Sequence, residues 1–79
     1  MSYTYRRGKA AKLSMEVRES LGIISEAESG WTKEVNLISW NGDEPRYDIR
    51  AWSPDRSRMG RGITLSVEEM RRLVHIIKE

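Results

Sequence analysis

Cysteine is absent from the 79 residues and histidine occurs once, at His75. Without thiols there is no disulfide framework and no thiolate metal site, which fits a reducing cytosol. There is also no glycine-rich phosphate loop and no HExxH or CxxC spacing, so the usual constellations of nucleophile, base and metal cannot be assembled. The expectation is a chain that is not an enzyme, with no cofactor, no metal and no small-molecule substrate. Paired carboxylates would have to come from Asp43, Glu44, Asp48 or Asp55, and the first two lie in a turn sequence where such residues serve local hydrogen bonding. Long apolar runs are missing too: none approaches the roughly 20 residues of a membrane-crossing helix, and the N-terminus lacks the apolar segment of a signal peptide. A soluble, cytoplasmic protein with no membrane partner is therefore expected.

What is present is small and unevenly charged. At 79 residues the chain is one domain with room for one sheet and one helix, and so small a core makes pairing with a second copy a reasonable expectation. The net charge is +2, yet Arg6, Arg7, Lys9 and Lys12 face no acid within residues 1–12, leaving 10 basic against 12 acidic residues in the remainder. Five arginines (46, 50, 56, 58 and 61) stand against Asp48 and Asp55 between positions 46 and 61. Local basicity on a near-neutral body favours a directed polyanion surface over a generally cationic protein. Residues 1–12 are expected as a flexible basic arm that adds phosphate contacts, or else an inert tail, ahead of a single domain at 13–79.

The most legible stretch is WTKEVNLISWNGDEPRYDIRAW, from Trp31 to Trp52. Two runs rich in β-branched and aromatic residues flank Asn41-Gly42, which readily takes positive φ at both centres of a tight turn, and the expectation is a β-hairpin. Alternation places Val35, Leu37, Tyr47 and Ile49 on one side. Asn36, Ile38 and Trp40, with Arg46, Asp48, Arg50 and Trp52, fall on the other. The first set is expected as the core face. The second is expected to face outward and suits stacking on bases while neutralising phosphates. Asp48, between Arg46 and Arg50, is expected to orient those guanidiniums through charge-assisted hydrogen bonds.

Around the hairpin, Met15 to Ser25 is expected as a first strand, irregular near Gly22, followed by the turn-rich EAESG. After it, Pro54 and Asp55 stop the third strand. Gly60 and Gly62 bracket Arg61, which suits either a close backbone approach or a bulge entering a fourth strand through Ile63 and Leu65. Ser66 then opens a helix, because SVEE has the capping-box form with acids in the first turn. Val67, Met70, Leu73, Val74, Ile76 and Ile77 spread over about half of its circumference, wider than the roughly 100° stripe one sheet requires, so the surplus apolar face calls for a partner. His75 falls on the solvated arc. The order is arm, four strands and helix. Trp40 and Trp52 are expected to stack on bases, while Trp31 has the parity of Val35 and Leu37; burial in a core or a dimer interface is the rival for each.

This order, with the runs Tyr47-Asp48-Ile49-Arg50-Ala51-Trp52 and Gly60-Arg61-Gly62-Ile63-Thr64-Leu65 before a capped helix, resembles the family of transcriptional positive cofactor 4, a single-stranded-DNA-binding coactivator. GWTKEVNLISWNG with YDIRAW is especially similar to its bacterial, YdbC-like branch. The resemblance covers about residues 15–79. It implies an α+β fold, a four-stranded antiparallel curved sheet followed by a C-terminal helix (ββββα), paired as a homodimer whose sheets grip single-stranded DNA with little sequence preference. It also lends roles to Arg50 of the DIR strand, to Arg61 before the glycine of the last strand, to Trp40 and, with a register offset, to Trp52. Where the coactivator's turn is lysine-rich, Asn41-Gly42-Asp43-Glu44 stands here, which removes the basis for phosphate contacts from that turn. These 79 residues hold no counterpart of the eukaryotic protein's acidic regulatory extension, so a coactivator role is not expected to carry over.

Together these point to a DNA-binding protein serving transcription, replication or repair. Lys33, Arg46, Arg50, Arg58 and Arg61 are expected to neutralise phosphates, Trp40 and Trp52 to stack on bases, and Asn36 to supply a hydrogen bond. Two alternatives stay open: single-stranded RNA, since stacking platforms are indifferent to the sugar, and a protein-interaction adaptor, since Trp and Arg are enriched at protein interfaces too.

Overall fold

The computed structural model describes residues 2–7 and 11–78, with side chains described for 14–78. Five strands, β1 (Ser2–Arg7), β2 (Ala11–Glu26), β3 (Thr32–Trp40), β4 (Arg46–Trp52) and β5 (Met59–Leu65), precede one helix, α1 (Val67–Lys78). The strands form one antiparallel sheet in chain order. The expected four strands and C-terminal helix are thus β2 to β5 and α1, with β1 added along the free side of β2. The basic arm expected over residues 1–12 falls in part outside the described residues. Within them, the backbone of β1 pairs with β2 from Ser2↔Glu16 to Arg7↔Ala11.

Local chemistry sets the boundaries. Asn41 and Gly42 take φ of 51° and 80°, and the Asp43 amide donates to the Trp40 carbonyl at 2.8 Å, closing the expected turn with positive φ at both centres. The hairpin tip is tied to β2, because the Ser14 amide donates to Asn41 Oδ1 at 3.0 Å and the Asn41 amide to the Ser14 carbonyl at 2.6 Å. At the helix start, the Glu69 amide donates to Ser66 Oγ at 3.0 Å and the Ser66 amide to Glu69 Oε1 at 2.8 Å, the reciprocal pair a capping box requires. β2 shifts register against β3 at three places, one of them between Ser20 and Gly22, which bears out its expected irregularity.

The hairpin register, with Val35↔Ile49, Leu37↔Tyr47, Asn36↔Asp48 and Ile38↔Arg46 opposite one another, puts the expected sets on the expected sides. Their burial is reversed. Met15, Val17, Ile38 and Trp52 form the buried apolar cluster, with Trp40 and Met59 packed against it. Glu34, Asn36 and Asp48 are buried on that same side, whereas Val35, Leu37, Tyr47 and Ile49 are only half-buried. The physical reason lies in what covers each side. Met15 and Val17 of β2 pack beside Ile38 and Trp52, and the β4–β5 connector brings Arg56 over the Trp52 ring and onto Glu34, whereas α1 buries none of its residues. Alternation says which residues share a side, not which side is inside.

The helix touches β4 and β5 alone and buries none of its residues. Ile63, Val67, Val74, Ile76 and Ile77 are exposed. No helix among the described residues is long and apolar enough to cross a membrane.

Candidate nucleic-acid interface

Asp48 is the fixed point of the tryptophan-bearing side. It is fully buried, and its carboxylate receives three hydrogen bonds. Arg50 donates from Nε to Oδ1 at 2.6 Å and from Nη2 to Oδ2 at 2.8 Å, and Thr64 Oγ1 donates to Oδ2 at 3.0 Å. Such a fork-to-fork pair fixes the plane of the guanidinium as well as its position. Nη1 reaches the Gly60 carbonyl at 3.5 Å. The expected orienting role of Asp48 is borne out for Arg50. Thus held, Arg50 lies over the Trp40 ring, Cζ 5.3 Å from its centroid, within range of a cation–π contact.

Gly62 makes this arrangement possible. It stands opposite Arg50 across β4 and β5, and a Cβ there would lie 2.5 Å from the Ile49 carbonyl oxygen and closer still to Arg50 Cβ. Both sequence alternatives for this glycine pair hold: the backbone comes close at Gly62, and a bulge falls between the Arg50 and Trp52 pairings.

A second cluster closes the other end. Arg56, with φ of 61°, projects from the β4–β5 connector, its Cζ 4.6 Å from the Trp52 ring centroid, and its Nη1 donates to both Glu34 oxygens at 3.1 and 2.8 Å. Thr32 Oγ1 and Asn36 Nδ2 donate to Glu34 at 2.6 and 3.4 Å. Burial pushes the Glu34 carboxyl up, but the hydrogen bonds from Arg56, Thr32 and Asn36 and the Arg56 charge outweigh it, and the net shift is downward. The connector is held by Asp55, whose carboxyl is lowered to about 2 by hydrogen bonds from the Ser57 amide, the Ser57 hydroxyl and the Ser53 hydroxyl. A third pair places Arg58 Cζ 5.7 Å from the Trp31 ring, on the side where Trp31 passes over Gly60.

The eight expected contact residues divide on this geometry. Lys33, Arg46, Arg58 and Arg61 are exposed, although Lys33, opposite Ala51 in the register, has the parity of Val35 and lies on the reverse side from Trp40. Trp40 and Arg50 are half-buried and stacked. Asn36 and Trp52 differ from the exposed contacts expected of them: they are 0% and 2% exposed in the protomer, Trp52 packing with the apolar cluster and Asn36 donating to Glu34. Arg56 and Glu34 were missed as a pair. The available signal was a lone acid, Glu34, at the parity of Asn36, but the residues are 22 positions apart and the contact depends on where the connector folds.

Residues 27–76 match the family model for Transcriptional Coactivator p15 (PC4), the stretch from the end of β2 through most of α1. An uncharacterized protein of Treponema pallidum (strain Nichols) is 51% identical over 55 residues, which are 70% of this chain and 65% of that protein.

Proposed function

Since the chain belongs to the transcriptional coactivator p15 (PC4) family, we propose that it binds single-stranded DNA with little sequence preference, as a homodimer, through the side of its sheet that bears Trp40 and Arg50. The observation that carries this is the contact of Trp40 with Arg50, held by buried Asp48, which pairs an aromatic ring with a planar cation, groups on which bases stack without regard to sequence. Arg46, exposed and opposite Ile38 in the register, supplies a cation for phosphates on that side. Arg58, which lies against Trp31, and Arg61, next to the Gly62 that faces Arg50, are exposed toward the reverse side; they reach the strand only where it wraps the sheet edge. Lys33 can add a contact only if the strand wraps the sheet edge. Homodimerisation is supported by the apolar residues of β5 and α1 that the protomer leaves exposed and by the small size of its own core.

Fluorescence anisotropy of a labelled thymine 20-mer tests the proposal, with duplex DNA and RNA of the same sequence as competitors. Binding that the duplex does not displace is expected, and its logarithm should fall with log salt by about 0.7 per phosphate contact. Three or four contacts per protomer predict a slope near −2 to −3 per protomer on that scale. Equal displacement by duplex would refute single-strand preference, and displacement by RNA at equal strength would remove the preference for DNA. No binding to any strand would assign the surface to a protein partner. Light scattering after size exclusion should report twice the 9.2 kDa protomer mass.

A further inference from the structure

Arg50 has the sequence position of a phosphate ligand, but its surroundings give it a different task. Both oxygens of the fully buried Asp48 carboxylate are engaged with it, so the pair is electrically neutral where it stands. Swinging the guanidinium out to a phosphate would leave that carboxylate buried beside only the Thr64 hydroxyl, which is strongly unfavourable. The Gly60 carbonyl takes the remaining nitrogen, and the bare backbone of Gly62 leaves no side chain to push the arginine stem aside. The guanidinium carbon lies over the Trp40 ring, 5.3 Å from its centroid. The side chain retains 17% exposure, and its edges are turned to the protein.

Resting on the single-strand reading above, we propose that Arg50 is a base-stacking plate and not a phosphate ligand: a base of the bound strand lies on its guanidinium, making a three-layer stack of Trp40, Arg50 and base, with Asp48 as the positioning residue. Guanidinium planes accept bases as aromatic rings do, and a neutralised arginine retains that planar face after its charge has been spent on Asp48. Trp40 then acts from beneath, through the plate it supports.

Replacement by lysine separates the two roles, because lysine keeps the charge, binds phosphate as a point, and has no plane. Arg50→Lys and wild type are compared on a thymine 20-mer and on a 20-mer of abasic sites, which has the phosphates and no bases. The expected result is about a tenfold loss on thymine, no loss on the abasic strand, and an unchanged salt slope. Wild-type affinity retained on thymine, or equal losses on both strands, would overturn the inference. Should Arg50→Lys fail to fold, Thr64→Val loosens the Asp48 clamp while keeping every charge, and it too should lose affinity on thymine alone; an equal loss on both strands, or none, refutes the clamp. If wild type binds neither strand, the single-strand reading itself is wrong and this inference falls with it, an outcome distinct from a wild type that binds and a variant that does not differ.

Discussion

Trp52→Ala separates core from contact surface most sharply. Burying a tryptophan removes about 150 to 250 Å² from water, which at about 25 cal/mol per Å² corresponds to roughly 4 to 6 kcal/mol, and measured Phe or Trp to Ala losses in cores run about 3 to 5 kcal/mol. Trp52 is 2% exposed and packed with Met15, Val17 and Ile38, and Arg56 would lose the ring beneath it. A chain of 79 residues has a total stability of about 4 to 12 kcal/mol at about 0.05 to 0.15 per residue, so this single loss is comparable with the whole. With an m-value of about 1 kcal/mol/M in urea, the midpoint should drop by about 3 M or more, and much of the variant should be unfolded without denaturant. Urea titrations followed by far-UV circular dichroism at one fixed protein concentration would measure this, with Trp52→Phe as the milder companion. Trp40→Ala, at a half-buried position, should instead stay folded and lose about tenfold in affinity for the thymine strand. A Trp52→Ala protein with the wild-type urea midpoint and weakened DNA binding would refute the assignment of the tryptophan-bearing side as the buried side of the sheet.

Three further outcomes are expected. Because hydrogen bonding holds the Glu34 carboxyl below its ordinary 4.5 and Asp55 at about 2 in place of 3.8, both favour the folded state above those ordinary values and lose that contribution as pH falls through the folded ones; urea midpoints should therefore decline below about pH 4.5, and Glu34→Gln, less stable than wild type at pH 7, should converge on it in acid. Gly62→Ala should destabilise by about 1 to 3 kcal/mol through overpacking against Arg50 and Ile49, where an unobstructed Gly→Ala would stabilise by about 0.4 to 1 kcal/mol; a raised thermal midpoint would show that the strands part freely there. Ser66→Ala should cost about 1 kcal/mol by removing the cap, seen as a lower urea midpoint, and an unchanged midpoint would mean that the first helical turn is held by other contacts.

Where a feature depends on residues adjacent in sequence, it could be read directly. The Asn41-Gly42 turn, the Ser66–Glu69 cap and the irregular first strand near Gly22 each rest on backbone preferences or on hydrogen bonds spanning three or four residues, and all appear as expected. The orientation of Arg50 by Asp48, two residues apart on one side of a strand, belongs to the same class. The candidate site was legible in residue type but not in depth. Trp40 and Trp52 share a parity, yet one is half-buried and the other enclosed, because enclosure depends on what the neighbouring strands bring over each ring.

By itself, then, the amino-acid order determined four of the strands and the helix, the hairpin turn and the helix cap, the residues sharing each side of the hairpin and the family resemblance, because these follow from φ preferences, period-two alternation and short-range hydrogen bonding; the pairing of β1 along β2 was not among its expectations. Only the tertiary structure decided which side of the sheet is inside. It alone brought Arg56 across 22 positions onto Glu34 and set Arg50 over Trp40. Which side is covered depends on where β2 and the β4–β5 connector lie, and these are contacts between residues far apart in sequence that no single strand's pattern contains.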